Sequence, residues 1–153
     1  MKYCLDTSAL MDAWSRWYPV RLFPSLWKRL DSLILTGDII SSEEVLRELE
    51  RKQDSLYGWA RERRAMFLPL SDEVQEAVNR LLDRFPTMVD DRSGKSFGDP
   101  FVVATAMTTD TIVVTGERPT GSAGRPKIPD VCQSFGTPWM SVVELIDEEG
   151  WSF

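Results

Sequence analysis

Four carboxylates stand where the chain changes character. Asp6 closes the apolar run KYCLD, and Glu48 lies within SSEEVLREL. Asp99 precedes Pro100 and FVVATAM, and Glu117 follows TIVVT by one glycine. Crowded carboxylates repel one another and hold their protons more tightly unless a cation neutralises them. Oxygen donors of this kind suit Mg²⁺ or Mn²⁺. A cation held there would activate water and neutralise charge on a phosphodiester.

Composition narrows the chemistry further. The 153 residues contain no histidine. Serine–histidine and cysteine–histidine triads, histidine acid–base pairs and the usual zinc sites are therefore excluded. A phosphatase with Asp6 as nucleophile would want a second acid two residues on, and Ser8 occupies that place. The two cysteines, Cys4 and Cys132, sit in apolar contexts and read as buried free thiols. The net charge of −6 is the wrong sign for a protein binding nucleic acid through a broadly basic surface. Basic residues do group locally, as Arg47, Arg51 and Lys52, as Arg61, Arg63 and Arg64, and as Arg118, Arg125 and Lys127. No apolar run approaches a membrane span, and Asp6 interrupts the place where a signal peptide needs its apolar core. The expected location is the cytoplasm.

The elements that must position the acids follow from periodicity and caps. KYCLD (2–6) is a short buried strand running into a helix over TSALMDAW. Ser25 starts a helix that ends at Gly37, and 38–40 is a second strand. Ser41 and Glu44 have capping-box spacing for the helix that carries Glu48. Glu44 is thereby assigned a structural role. Glu48, one turn later on the face of Val45 and Leu49, becomes the second ligand in preference to Glu43 or Glu44. Helices over 55–64 and from Ser71 to Pro86 follow, then a mobile loop over 86–98. Asp99-Pro100 opens an apolar helix, and TIVVT (111–115) is a β-branched strand. A Gly/Pro/Arg loop (116–127), a helix near 129–135, a strand near 138–140 and a capping-box helix from Ser141 complete the chain. The length fits a single domain over 1–153. Short strands alternating with helices predict a mostly parallel sheet with its crevice beyond the carboxyl ends of the strands.

Each acid also has an ordinary structural role open to it. Asp6 would cap the first helix, and Asp99 before Pro100 makes a good N-cap pair. Glu48 would join a solvated face with Arg47 and Arg51, and Glu117 would be a loop residue. Their common position after strands, in a chain without histidine, favours the metal reading.

The same residues resemble the PIN-domain family, including VapC-like toxins. CLDTSALMDAW is similar to the family's opening, SSEEVLREL to its helical Glu motif, GDPFVVATA to its third motif and VVTGE to its fourth. KIPDVCQSFGTPWMSVVELIDEEG resembles the tail of an uncharacterised PIN-like subfamily. The resemblance implies a three-layer α/β/α fold and a Mg²⁺- or Mn²⁺-dependent endoribonuclease. Asp6, Glu48, Asp99 and Glu117 match its acidic positions, and Thr7 and Thr115 its neighbouring hydroxyls. Glu117 departs from the usual Asp by one methylene, which fits contact with metal through water. Arg118, Arg125 and Lys127 follow the fourth acid and are the candidates to guide RNA phosphates. An antitoxin and a second copy of the chain are the implied protein partners, and no membrane is. The competing reading is a catalytically inactive PIN-fold interaction module. Six tryptophans, with Trp14, Trp17 and Tyr18 close together, are expected to pack in and around the core, or else to present an apolar face to a partner.

Overall fold

The computed structural model describes residues 1–88, 99–122 and 124–153. The mobile loop expected over 86–98 lies outside the described residues from 89 onward, and Pro86–Met88 form a 3₁₀ turn. Among the described residues the strands are β1 (Tyr3–Leu5), β2 (Ile39–Ser42), β3 (Phe67–Leu68), β4 (Ile112–Val114) and β5 (Trp139–Met140). They form one parallel sheet in the order β3-β2-β1-β4-β5. The helices are α1 (Thr7–Asp12), α2 (Pro24–Leu35), α3 (Glu43–Lys52), α4 (Ser55–Arg61), α5 (Asp72–Arg84), α6 (Asp99–Thr109), α7 (Ile128–Phe135) and α8 (Val142–Glu148).

The strand order has a physical consequence. From β1 the chain steps outward to β2 and β3, then returns past β1 to β4 and β5. Right-handed crossovers put the first set of helices on one face and the second set on the other. The packing agrees for the most part, because α1 touches α3, while α6 meets α5, α7 and the strands β1, β2 and β4, and α6 also reaches α3. The expected three-layer α/β/α arrangement is the one observed. Its switch point falls between β1 and β4, where connections leave towards opposite faces and a crevice opens beyond the strand ends.

Parallel strands covered on both sides are apolar throughout. Tyr3, Cys4 and Leu5 are all buried, as are Val113 and Val114. Helix α6 is buried on nearly every side, with Val102, Val103, Ala104, Thr105 and Ala106 all inside. Cys4 and Cys132 are buried free thiols. Burial pushes the Cys132 thiol up to about 12 and the Cys4 thiol higher still, so both are inert at neutral pH. Trp14, Trp27 and Trp59 interlock, with ring centroids 5.1 Å apart for Trp14–Trp27 and 5.2 Å for Trp27–Trp59. Trp17, by contrast, is 64% exposed. Among the described residues no helix is long and apolar enough to cross a membrane.

Several boundaries differ from expectation. The first helix stops at Asp12 and widens into a π-helical turn, Ala13–Trp17. Strand β2 runs on to Ser42, so Ser42 caps α3 by accepting from Glu44 N–H at 3.2 Å. The expected Ser41–Glu44 capping box is therefore not the cap of α3. Ser41 is fully buried in β2 and donates to the Leu5 carbonyl at 2.6 Å, tying β2 to β1. The helix expected over 55–64 ends at Arg61 and gives way to a 3₁₀ turn at Arg64–Met66, which leads into β3. The two residues of β3 are too few to carry a periodicity.

Ser41→Ala removes that buried donor without opening a large void. It should lower unfolding free energy by about 1 kcal/mol, read from the urea midpoint at unchanged m value. An unchanged midpoint would show that the Ser41 bond contributes nothing to stability.

Candidate functional site

Asp6 sits one residue past β1 and caps α1, with Ala9 N–H donating to its Oδ1 at 2.7 Å. Thr115, one residue past β4, donates to Asp6 Oδ2 at 2.8 Å. Ser8 Oγ lies 3.0 and 2.9 Å from the two Asp6 oxygens and accepts the Gly116 N–H at 3.0 Å. Thr115 Oγ1 in turn accepts the Glu117 N–H at 3.0 Å. The ends of β1 and β4 are thus laced together through one carboxylate. A Cβ at Gly116 would displace the Asp12 carboxylate and press on Ser8, so glycine lets these side chains lie close to the strand end.

Three of the four expected acids meet at this edge. One carboxylate oxygen from each of Asp6, Asp99 and Glu117 lies within 4.8 Å of the others. Asp99 is the first residue of α6 and arrives from the opposite layer. Glu117 turns its Oε2 to the Ile128 N–H at the start of α7, at 3.0 Å. Its extra methylene lets one side chain hold a helix end and still reach the group. Glu48, on α3, lies outside the 4.8 Å group but lines the same cavity of about 490 Å³ as Asp99 and Glu117, with its Oε1 buried. Glu43 and Glu44 are engaged elsewhere. Glu43 accepts from Leu70 N–H at 3.1 Å, and Glu44 pairs with Arg47.

Electrostatics follow from this crowding. Asp6 is 1% exposed, and burial pushes its pKa up to about 7, with the Glu117 charge adding to the rise. Its donors Ala9, Thr115 and Ser8 pull the other way. Asp99 is raised further, first by burial and then by the charges of Glu117, Asp6 and Glu48. Both carboxyls are costly to ionise without a counter-charge. The donor set is oxygen only, the kind of ligand that hard divalent cations prefer.

The other expected residues are placed as follows. Thr7 lines the acid cavity. Thr115 is buried, with its proton committed to Asp6. Arg118 is exposed and lines a second cavity next to the acids. Arg125 and Lys127 are exposed on a loop gathered around Asp130, which accepts from Thr120, Gly121 and Lys127 N–H groups. Neither lines either cavity. Arg51 and Lys52, on the helix that carries Glu48, do line the acid cavity. Sequence reasoning gave no functional role to Ser8 or Asp12. Their signal was their placement in DTSALMD, where residues 8 and 12 share a helical face behind Asp6.

A family model described as "Domain of unknown function (DUF4411)" matches residues 3–153. No curated protein matches. The crystal structure of FitAcB from Neisseria gonorrhoeae superposes with a TM-score of 0.55 at 18% identity, covering 90% of this chain and 96% of that one. That likeness is one of fold, and the layered α/β arrangement is PIN-like.

The raised carboxyls make a stability prediction. In the unfolded chain Asp titrates near 4. Groups raised in the folded state contribute stability that is complete below that value and is lost as pH rises through the folded pKa. In EDTA, Asp99→Asn should therefore stabilise the protein more at pH 8 than at pH 5. The gain at pH 8 should be on the order of 2 kcal/mol, or about 4–8 °C in Tm for a chain of this size. Calorimetry at the two pH values checks this, and an equal or lower Tm for the variant at pH 8 would mean the acids are not under strain.

Proposed function

We propose that this chain, which belongs to the DUF4411 family, is a metal-dependent endoribonuclease and the toxin of a toxin–antitoxin pair. The observation that carries the reading is the meeting of Asp6, Asp99 and Glu117 within 4.8 Å at the switch point of the sheet. These residues come from β1, α6 and the end of β4, and two have carboxyls raised by burial and mutual charge. Such an arrangement costs stability unless a cation joins it. The sequence resemblance to PIN-domain toxins supplies the reaction class.

Asp6, Asp99 and Glu117 would hold Mg²⁺ or Mn²⁺, with Glu48 facing the same cavity. When bound, such an ion supplies activation of water and neutralisation of charge on a phosphodiester. The remaining work falls to the chain. Ser8, Thr115 and the Ala9 N–H fix the orientation of Asp6. Glu117 braces against the start of α7 and keeps the following loop near the acids. The Thr7 hydroxyl, in the cavity wall, is a donor for a phosphate oxygen. Arg51 and Lys52 on one side and Arg118 on the other bring local positive charge to an acidic edge, which a phosphate needs in order to approach. Arg125 and Lys127 extend that charge along the loop.

An inactive interaction module would have no use for three mutually repelling acids, one buried and two half-buried, which weighs against that alternative. The toxin assignment rests on the resemblance, and exposed Val20 and Leu22, beyond the π-helical turn, supply apolar surface for an antitoxin or a second copy. The place of action in this reading is the cytoplasm.

Cleavage of RNA should require Mg²⁺ or Mn²⁺ and stop in EDTA. Asp6→Asn keeps an acceptor for the cap of α1, so it and Asp99→Asn should fold. Each should lose more activity than the roughly 10–100-fold typical of an outer-shell partner. Undiminished cleavage by both would assign the activity to a contaminant or another site.

Replacing Arg118, Arg125 and Lys127 together by Ala should flatten the dependence of log affinity on log salt. With RNA binding measured in Ca²⁺, the slope should fall by about 2, taking roughly 0.7 per phosphate contact on a single strand. An unchanged slope would move the RNA path to Arg51 and Lys52.

A further inference from the structure

Next to the acid cavity lies a second one of about 550 Å³, inside the range of about 300–1,000 Å³ usual for ligand sites. It opens between the π-helical turn, the loop after β4 and the start of α8. Its walls carry Trp17, Tyr18 and Trp139, with Val143 beside them and Arg118 in the lining. Asp12 and Glu117 line both cavities, so the two spaces adjoin.

Trp17 makes this space unusual. A tryptophan left 64% exposed leaves a large ring in water. The turn that bears it is anchored from below by Trp14, which packs edge-on against Trp27 at 5.1 Å and donates through Nε1 to Ser55 Oγ at 3.0 Å. The exposed ring is therefore carried on a fixed base. Val143, across the cavity, is 57% exposed. Asp12 and Glu144 in the walls disfavour a phosphate or an acidic peptide inside, and they can accept hydrogen bonds from amino groups of a neutral ring. Among the described residues, Arg118 supplies the one cationic side chain of the lining.

We infer that this cavity receives one unpaired base of single-stranded RNA, next to the phosphate that meets the acids. The base stacks on Trp17 and Trp139, and Arg118 meets a neighbouring phosphate. The inference rests on the ribonuclease reading and adds to it a subsite built from this chain's own residues, where a base that has left its stack is held. Aromatic platforms bind single strands in this way because every base has a π-face. A base paired in a duplex could not enter, so double-stranded RNA is a poor substrate.

The test uses the full chain and short RNA oligonucleotides, single-stranded and duplexed, with the cut position first mapped for the wild type. Trp17→Ala should raise KM for the single strand by about 5- to 150-fold, the range for loss of one stacked base. Trp17→Phe should restore most of it, and Mg²⁺ affinity measured without RNA should not change. Trp139→Ala should act in the same direction. Because Trp139 is half-buried, its folding is to be checked, and the exposed Trp17 carries the decision. An abasic residue beside the cut should reproduce the defect in wild type and add little in Trp17→Ala, which is the coupling expected of groups in contact. A wild type that cleaves RNA while Trp17→Ala keeps its KM overturns the inference and leaves the nuclease reading standing. Equal cleavage of duplex and single strand does the same. A wild type that neither binds nor cuts RNA in Mg²⁺ or Mn²⁺ overturns both. Normal cleavage by Trp17→Ala with lost binding of a co-expressed protein partner makes the cavity a protein interface and also overturns the inference.

Discussion

The repulsion among Asp6, Asp99 and Glu117 is the constraint on which the rest of the site depends. Three carboxylates with oxygens within 4.8 Å, one of them almost wholly buried, do not arise from folding stability alone. Water would solvate them better apart. The protein holds them together by bringing each from a different rigid element. Asp6 comes from the end of β1, Asp99 from the first turn of α6, and Glu117 from the exit of β4. No single element can relax to separate them.

The parallel sheet makes that possible at low cost elsewhere. Its order places β1 and β4 side by side with their connections leaving to opposite faces, so the crevice between their ends is not filled by a crossover. Small polar side chains then fix the mouth of the crevice. Ser8 and Thr115 both bond to Asp6 and also take backbone N–H groups from Gly116 and Glu117. Moving either strand end therefore moves the acid. The missing Cβ of Gly116 lets the two segments approach this closely, with Asp12 directly behind it. Longer Glu in place of Asp at position 117 is explained in the same terms, because the side chain spans from the acids to the first N–H of α7.

Much of this was legible in the residues. Asp6, Asp99 and Glu117 were found by asking which acids follow strands or open helices, and that question has a topological basis in parallel sheets. The choice of Glu48 over Glu44 rested on a capping box that Ser41 does not make. The choice agrees with the lining of the acid cavity for another reason, since Glu44 is drawn to Arg47 and Glu48 lies one turn further along the cavity wall. Register explains the misread cap. Ser41 and Ser42 are both good caps, and only the length of β2, set by pairing with Phe67 and Leu68, decides between them. Strand β3 itself exists through that pairing and left no mark in two residues. The DTSALMD pattern puts Ser8 and Asp12 on one helical face, but their partner there, Gly116, lies more than a hundred residues away in sequence and no local pattern names it. The exposure of Trp17 is not legible either, because Trp14, Trp27 and Trp59 pack against one another and a pattern of apolar residues does not say which tryptophan stays out.

The central claim is that these acids are a divalent-cation site. Crystals grown with Mn²⁺ and measured at the manganese edge test it most directly, because anomalous scattering locates the ion without reference to activity. The account predicts a peak within coordination distance of oxygens from Asp6, Asp99 and Glu117, absent from crystals of Asp99→Asn grown in the same solution. A wild-type crystal with no peak there, or with its only peak at other surface acids, would contradict it.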